Sequence, residues 1–233
     1  MMKVPQHIAI IMDGNRRWAR KNGLEASLGH KKMVEDGIQE VVSSAKELGV
    51  KYLTLWAFST ENWKRDPKEV RFLMKLFREM FSNRVEKLHE EGVKIQTIGD
   101  LSRFDQDIQD SIAKWKEETK NNTAITVNFA LNYGGRDEIL RAVEKIAKDV
   151  KAGELAVDKL NEQQFAEYLD TANMPDPELI IRPGGESRLS GFMLWQSNYA
   201  ELYFPKILMP DFDGKELKKA IKEFNNRKIN LGK

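Results

Sequence analysis

Four short segments of this sequence concentrate glycine, arginine and small polar residues: Asp13-Gly14-Asn15-Arg16-Arg17-Trp18, Ser59-Thr60-Glu61-Asn62-Trp63-Lys64-Arg65, Asn132-Tyr133-Gly134-Gly135-Arg136 and Arg182-Pro183-Gly184-Gly185-Glu186-Ser187-Arg188. A glycine turn that leads into a helix offers free backbone N–H groups and the positive end of a helix dipole, and both suit a phosphate. Arginine adds permanently charged, bidentate contacts to phosphate oxygens. Together the segments predict a site for one or two polyanionic phosphates. The segment Arg182 to Arg188 carries the most weight, because two arginines flank a Gly-Gly beside Ser190 and such a turn forms an anion nest. The others also have plainer readings: Asp13-Gly14 is a common turn, Arg16, Arg17 and Arg20 can be a solvated helix face, and Trp63 can be a hydrophobic anchor. Neither Gly-x-x-x-x-Gly-Lys-Ser/Thr nor Gly-x-Gly-x-x-Gly occurs at these positions, which disfavours an ordinary nucleoside triphosphate or dinucleotide.

Metal chemistry leaves a thinner trace. His7, His30 and His89 lie far apart with no zinc-binding spacing. Magnesium commonly uses one or two carboxylates plus substrate phosphate oxygens, and Asp13 with Glu201, both read as lying near strand ends, could supply them. Met74, Phe77, Met80 and Phe81 belong to a core by default, but their number also suits the lining of an apolar cavity. Bound phosphates, magnesium and a hydrophobic hollow would together suit a lipid-like diphosphate.

Such loops need a frame. Short apolar runs at His7–Met12, Tyr52–Phe58, Val93–Ile98, Ile125–Leu131, Leu179–Ile181 and Glu201–Phe204 read as strands, each run before the last ending at a turn or a polar segment. Helical spacing links them: Gly29 to Leu48, Asp66-Pro67 through Leu88 to Gly92, a segment around Ile108, Ile112 and Trp115, and Asp137 to Val150. The alternation predicts an α/β fold with a mostly parallel central sheet of about six strands and helices on both faces. Ligands in such sheets bind beyond the carboxyl ends of the strands, where the four segments fall. The length of 233 residues suits a single domain, 1–233, and 41% hydrophobic with 32% charged residues is the composition of a globular protein. A formal charge of +2 gives no strong field for nucleic acid or an anionic membrane, so any anion must meet a local cluster. The absence of cysteine excludes disulfides and thiolate chemistry and fits a reducing compartment. Without an apolar run near the ~18 residues of a membrane span, and without a secretory N-terminus, a soluble cytoplasmic protein is expected.

The run His7-Ile8-Ala9-Ile10-Ile11-Met12-Asp13-Gly14-Asn15-Arg16-Arg17-Trp18-Ala19 strongly resembles the opening signature of the cis-prenyltransferases, the undecaprenyl diphosphate synthase family. Gly29-His30-Lys31, Phe58-Ser59-Thr60-Glu61-Asn62-Trp63, Asn132-Tyr133-Gly134-Gly135-Arg136, and Arg182 through Glu201 resemble its later blocks in order, so the likeness covers nearly the whole chain. The resemblance implies a homodimeric parallel-sheet enzyme with a hydrophobic tunnel. It would use Mg²⁺ to extend an allylic diphosphate, such as farnesyl diphosphate, with isopentenyl diphosphate units through cis double bonds. It also implies roles. Asp13 would bind magnesium and assist departure of the allylic diphosphate, which Gly14, Asn15, Arg16 and Arg17 would cradle. Arg182, Arg188, Leu189 and Ser190 would hold isopentenyl diphosphate, with Glu201 completing the metal site, across a dimer interface in one arrangement. Trp18, His30, Ser59, Thr60, Glu61, Trp63 and Arg65 would shape and close the pocket. The family gives the position of Asn62 a part in proton loss; an amide is a poor base, so Asn62 is expected to orient a water or a phosphate oxygen.

Several positions depart from the family pattern. Ala26 stands where an arginine is common, Met33 where a glycine is common, Pro183 replaces a small hydroxyl residue, and Asn230-Leu231-Gly232 only partly resembles an arginine-x-glycine ending. Ala57, a small residue, goes in the family with an open tunnel and a medium or long product, whose release would involve peripheral membrane contact. A non-catalytic partner subunit of such an enzyme is the alternative, against which the retained Asp13-Gly14-Asn15 argues. A generic phosphate-binding or membrane-surface module is the third reading.

Overall fold

The computed structural model describes residues 3–227, so the Asn230-Leu231-Gly232 tail lies outside the described residues. β1 (His7–Ile11) is buried along its whole length. It is joined by β2 (Tyr52–Ser59), β3 (Val93–Ile98), β4 (Ile125–Tyr133), β5 (Leu179–Ile181) and β6 (Glu201–Tyr203) in one sheet of order β3-β4-β2-β1-β5-β6, with every pairing parallel. Side chains alternate across β1. Ile8 and Ile10 enter the larger core with Leu53 and Leu55, while Ala9 and Ile11 face a smaller cluster with Ala130, Ile180, Phe192 and Met193.

The helices are α1 (Asn15–Lys21), α2 (Ala26–Lys32), α3 (Ile38–Leu48), α4 (Pro67–Glu79), α5 (Val85–Glu90), α6 (Gln106–Glu118), α7 (Gly135–Ala152), α8 (Glu162–Glu167) and α9 (Gly214–Asn225). Apolar faces of α3, α4, α5, α6 and α9 fill the larger core. On the opposite face, α7 is tied to the sheet by a buried hydrogen bond from the Tyr133 hydroxyl to Glu138 at 2.6 Å. Local chemistry sets the ends: the Asp66 side chain accepts the Lys68 N–H before Pro67 opens α4, and α3 stops at Gly49 with φ of 91°.

Two expected helices are not continuous. A π-helical turn, Met33–Gly37, separates α2 from α3, and a second, Met80–Arg84, separates α4 from α5. The two turns pack against each other. Apolar spacing did not reveal them because one wider turn shifts the phase of a helix without breaking its apolar stripe. At the first turn a side chain on Gly37 would lie 2.6 Å from the Met33 sulfur, so Met33 is accommodated by a glycine four residues on.

The sheet builds outward from β1 in both directions, so the exits of β1 and β5 are neighbours at the topological switch point. Asp13 and Arg182 leave the sheet there.

Candidate active site

The turn after β1 is held by backbone. Gly14 has φ of 101°, and a side chain on it would come within 2.9 Å of Leu208, so only glycine makes this turn without strain. Asp13 thereby faces Arg182, whose side chain is only 7% exposed. Arg182 donates from Nε and Nη2 to Asp13 Oδ2 at 3.2 and 2.9 Å, and from Nη1 to Ser190 Oγ at 2.8 Å and the Arg188 carbonyl at 2.5 Å. Ser190 holds a left-handed φ of 53° to present that hydroxyl. The other carboxylate oxygen, Asp13 Oδ1, accepts the Gly14 N–H at 2.6 Å and lies 3.3 Å from Arg17 Nη2. Burial alone would raise the Asp13 pKa, but the hydrogen bonds and charge of Arg182, the charge of Arg17 and the Gly14 N–H together hold it below the ordinary carboxylate range.

Two hollows meet at this pair. One is a polar mouth bordered by Gly14, Arg16, Arg17 and Arg20; the other is an apolar cavity of about 230 Å³ running under Met33, Ala57, Phe58, Leu73, Phe77 and Met80. Met12, Asp13, Asn15, His30 and Arg65 line both. Gly29 makes the junction possible, because a side chain there would sit 1.9 Å from the Asn15 carbonyl, and its absence lets α2 close on α1 and bring His30 inward. Burial first, then the nearby Arg65 and Arg16, pull the His30 pKa down to about 4, so its imidazole is neutral at ordinary pH. His30 Nε2 and Asn15 Oδ1 are buried polar atoms with no protein partner, and both residues border the junction.

The segment after β2 divides by role. Asn62 Oδ1 accepts the Ser59 N–H at 3.0 Å in a capping box, which fixes its oxygen and leaves its Nδ2 donor for the cavity that Asn62 lines. Arg65 reaches the junction and is held by Glu69 at 2.9 Å, whose other oxygen lies 3.4 Å from Arg16. Trp63 is an anchor: its ring meets Phe58 and Phe104 edge-on and its Nε1 donates to Asn132 Oδ1 at 2.8 Å. Thr60 abuts Gly134, and Glu61 pairs with Lys64 in solvent. Trp18 donates to Asp211 at 2.7 Å.

The structure therefore brings Asp13, Asn15, His30, Ser59, Asn62, Arg65, Arg182 and Ser190 to the apolar cavity and Gly14, Arg16 and Arg17 to the mouth. It leaves Trp18, Thr60, Glu61, Trp63, Arg188 and Leu189 outside both linings. Arg188 is 61% exposed and paired with Glu186, and Leu189 packs on the smaller core cluster.

Two expectations are corrected. Gly184 and Gly185 do not form a free anion nest: their N–H groups are donated to the carbonyls of Ile207 at 2.7 Å and Pro205 at 2.9 Å, so arginine side chains supply this loop's positive charge. Glu201 lies at the start of its strand, level with Leu179 and Ile8, whereas Asp13 lies beyond the other end of β1. At the strand rise that is roughly 15 Å, so Glu201 of the same chain does not join Asp13 in one metal site; it pairs with Arg227 at 2.6 Å. Among the described residues no group of three His, Asp or Glu side chains forms a metal cluster. Magnesium still fits, because Asp13 offers a carboxylate and Asn15 an unpartnered oxygen, an arrangement for an ion held largely by substrate phosphate oxygens.

Glu69 and Glu186 were missed as site residues. Each ties two arginines, Glu69 joining Arg16 to Arg65 and Glu186 joining Arg17, at 3.6 Å, to Arg188. The four-residue spacing of Arg65 and Glu69 at a helix start was the available signal for the first.

A family model described as "Putative undecaprenyl diphosphate synthase" matches residues 11–232. An "Isoprenyl transferase" of Clostridium perfringens (strain 13 / Type A) is 52% identical over 99% of this chain and 90% of its own length. The "Ditrans,polycis-undecaprenyl-diphosphate synthase ((2E,6E)-farnesyl-diphosphate specific)" of Micrococcus luteus is 46% identical over 99% of this chain and 92% of its own. Among solved structures, lavandulyl diphosphate synthase from Lavandula x intermedia, in complex with dimethylallyl diphosphate, superposes with a TM-score of 0.95 at 36% identity and covers 98% of both chains.

Proposed function

The chain belongs to the undecaprenyl diphosphate synthase family of prenyltransferases, and from that premise we propose that it condenses isopentenyl diphosphate with an allylic diphosphate, farnesyl diphosphate first, to make a medium- or long-chain cis-polyprenyl diphosphate. One observation carries this reading: a mouth bordered by arginines and an apolar cavity share Asp13, Asn15, His30 and Arg65 as a common wall. A diphosphate head and a hydrocarbon tail fit those two hollows in that order.

In the reaction the C1–O bond of the allylic diphosphate breaks, the electrons leaving with the diphosphate and a delocalised cation remaining on carbon. The terminal double bond of isopentenyl diphosphate then forms the new C–C bond, and a proton is lost to restore the alkene. Arg16, Arg17 and Arg20 at the mouth stabilise the departing charge where it develops. Arg182 and Ser190, bound to each other at the cavity edge, hold the second diphosphate. Mg²⁺, when bound by Asp13 with the diphosphate oxygens, would supply further neutralisation of the leaving group. Neutral His30 adds no positive charge to the cavity in which the cation forms. Asn62, its oxygen committed to Ser59, offers a hydrogen-bond donor that orients a phosphate oxygen or water to take the proton.

A cytoplasmic homodimer accords with this reading. Leu140, Val143, Leu194 and Tyr199 are large hydrophobic side chains left exposed on α7 and the loop before β6, the kind of surface that a second copy covers. Glu201, remote from Asp13 of its own chain, would then approach the partner's site. No helix among the described residues is long and apolar enough to cross a membrane. Purified protein incubated with farnesyl diphosphate, labelled isopentenyl diphosphate and Mg²⁺ should yield extended prenyl diphosphates. Failure with every allylic starter would refute the function.

A further inference from the structure

The segment Asn132-Tyr133-Gly134-Gly135-Arg136 has the glycine and arginine of the other strand-exit loops, yet none of its residues lines the mouth or the apolar cavity. Its first residue has an unusual backbone. Asn132 is buried and holds a left-handed φ of 47°, a conformation that asparagine tolerates better than most residues with a side chain. Both ends of its amide are committed. Oδ1 accepts the Trp63 indole N–H at 2.8 Å and Nδ2 donates to the Asp100 carbonyl at 2.7 Å, while the Asp100 N–H returns to the Asn132 carbonyl at 3.4 Å. An indole only donates and a carbonyl only accepts, so these partners fix which end of the amide is which. One side chain at the end of β4 thereby joins the segments that follow β2 and β3.

The segment after β2 is the 3₁₀ turn Thr60–Lys64, and it is gripped at both ends. At its start Ser59 pairs with Tyr133 in the sheet, and Gly134 leaves room for Thr60, whose Oγ1 lies 2.7 Å from where a side chain on that glycine would begin. Near its end Trp63 is bound by Asn132, and the Arg103 guanidinium lies 4.5 Å from the centre of the Trp63 ring. Arg103 closes the short turn Leu101–Arg103 that follows Asp100, so Asn132 reaches Trp63 directly and also holds the segment that brings Arg103 to it. Between the two grips sits Asn62, with its oxygen on the Ser59 N–H and its Nδ2 left for the cavity. Simple packing would be served by an apolar residue in a relaxed conformation. A left-handed asparagine with both amide atoms spent on neighbouring exits points to orientation instead.

We propose that Asn132 is a positioning residue for the condensation: by fixing Trp63 it sets the turn Thr60–Lys64, and with it the direction in which Asn62 Nδ2 meets the phosphate oxygen or water that takes the proton. This inference rests on the prenyltransferase reading. Asn132 touches neither hollow, so its effect on the reaction passes through Asn62.

Asn132→Gly suits the left-handed backbone and removes both side-chain hydrogen bonds. Its rate for the first condensation in single turnover, and its KM for each diphosphate, are compared with those of the parent, Asn62→Ala and the double variant. Asn132→Gly is expected to lower the rate about tenfold while leaving both KM values within about twofold of the parent. The double variant is expected to be no more than about twofold slower than Asn62→Ala alone. A merely structural role behaves differently, because a smaller folded fraction multiplies the loss caused by Asn62→Ala and is not absorbed by it. Trp63→Phe keeps the ring against Phe58 and Phe104 and removes only the N–H, so it should reproduce the pattern and decides the matter where the glycine variant folds poorly. A parental rate in either single variant, or losses that multiply in the double variant, would overturn the role of Asn132. Absence of condensation by the parent with every allylic starter would instead overturn the prenyltransferase reading on which that role rests.

Discussion

Arg182 and Asp13, 169 residues apart in sequence, meet where β5 and β1 leave the sheet, with Nε and Nη2 of the arginine both on one carboxylate oxygen. Each side chain offsets the other's charge where solvent does not. Arg182 is nearly buried, and Asp13 is held ionised beside a cavity whose burial alone would favour its neutral form.

Replacing Asp13 should therefore cost both activity and stability. Asp13→Ala is expected to lower kcat at least about 100-fold, the scale of losing a group that stabilises developing charge. It should also lower unfolding free energy by about 1–3 kcal/mol, because Arg182 keeps its charge without a partner. Asp13→Asn keeps the shape and should retain more stability than Asp13→Ala with the same loss of turnover. Isopentenyl incorporation and urea denaturation read the two effects separately; normal turnover in either variant would exclude the role.

Asn62 distinguishes a base from an orienting donor. If this position accepted the proton itself, Asn62→Asp would supply a better base and keep or raise the rate. The committed Oδ1 argues the other way, since a carboxylate would remove the donor and face the diphosphates with negative charge. Asn62→Asp should be slower than Asn62→Ala, and both at least about tenfold below the parent in kcat.

Glu69 tests whether the arginines at the junction are positioned rather than merely present. Glu69→Gln leaves Arg16 and Arg65 in place without their shared carboxylate. A rise of about three- to tenfold in KM for the allylic substrate, with a smaller change in kcat, is expected for a loss of roughly 1 kcal/mol in binding. Glu69→Asp should recover part of it, and an unchanged KM would make the pairing incidental.

The strands and the glycine- and arginine-rich loops at their exits were legible because short apolar runs and Gly-Arg turns are local signals. Asp13, Arg182 and Ser190 needed only the rule that ligands gather at strand exits. What local pattern could not give was direction and partnership. Glu201 sits at a strand entrance, and a three-residue strand does not announce which of its ends faces the site. Gly184 and Gly185 looked like free donors because their acceptors, the carbonyls of Ile207 and Pro205, come from a segment about twenty residues later. Trp18 and Trp63 belong to the family pattern, yet each spends its indole N–H on a structural contact. In the first π-helical turn Met33 lies over Gly37, a packing contact that apolar spacing does not reveal.

Acid should destabilise the protein through its buried histidines. His7 is fully buried at the start of β1, with Nδ1 2.7 Å from the Pro175 carbonyl and Nε2 2.8 Å from the Thr54 hydroxyl, and burial lowers its pKa to about 4 despite the Pro175 contact and the charge of Glu178. His30 is lowered to about 4 as well. Between pH 6.5 and 4 the unfolded chain binds these protons and the folded chain does not, so stability falls as pH falls through that window, by roughly 3 kcal/mol for each residue. Asp13 acts lower: its depressed pKa gives stability that is present above the ordinary carboxylate range and lost only as pH drops through the folded value. Urea midpoints at pH 7 and pH 5 should show His7→Gln losing clearly less stability than the parent on acidification. An equal loss would remove His7 from the account.

Ala57 offers the most direct test of where the product tail lies. The β2–β4 register slips between Trp56 and Phe58, which pair with consecutive residues Ala130 and Leu131, so Ala57 is the extra residue of a bulge. That bulge breaks the usual alternation, and Ala57 and Phe58 both line the apolar cavity instead of facing opposite sides of the sheet. A larger side chain at position 57 therefore grows into the cavity, not into the core beneath it. Ala57→Leu adds three carbons at a point between the diphosphate junction and Met80, and it should shorten the products while leaving the first condensation within about threefold of the parent. Overpacking sets a limit of about 1–3 kcal/mol on the accompanying loss of stability, which urea denaturation would register. Mass analysis of products from Ala57→Leu and the parent, at matched conversion, decides the matter: an unchanged length distribution would place the tail elsewhere.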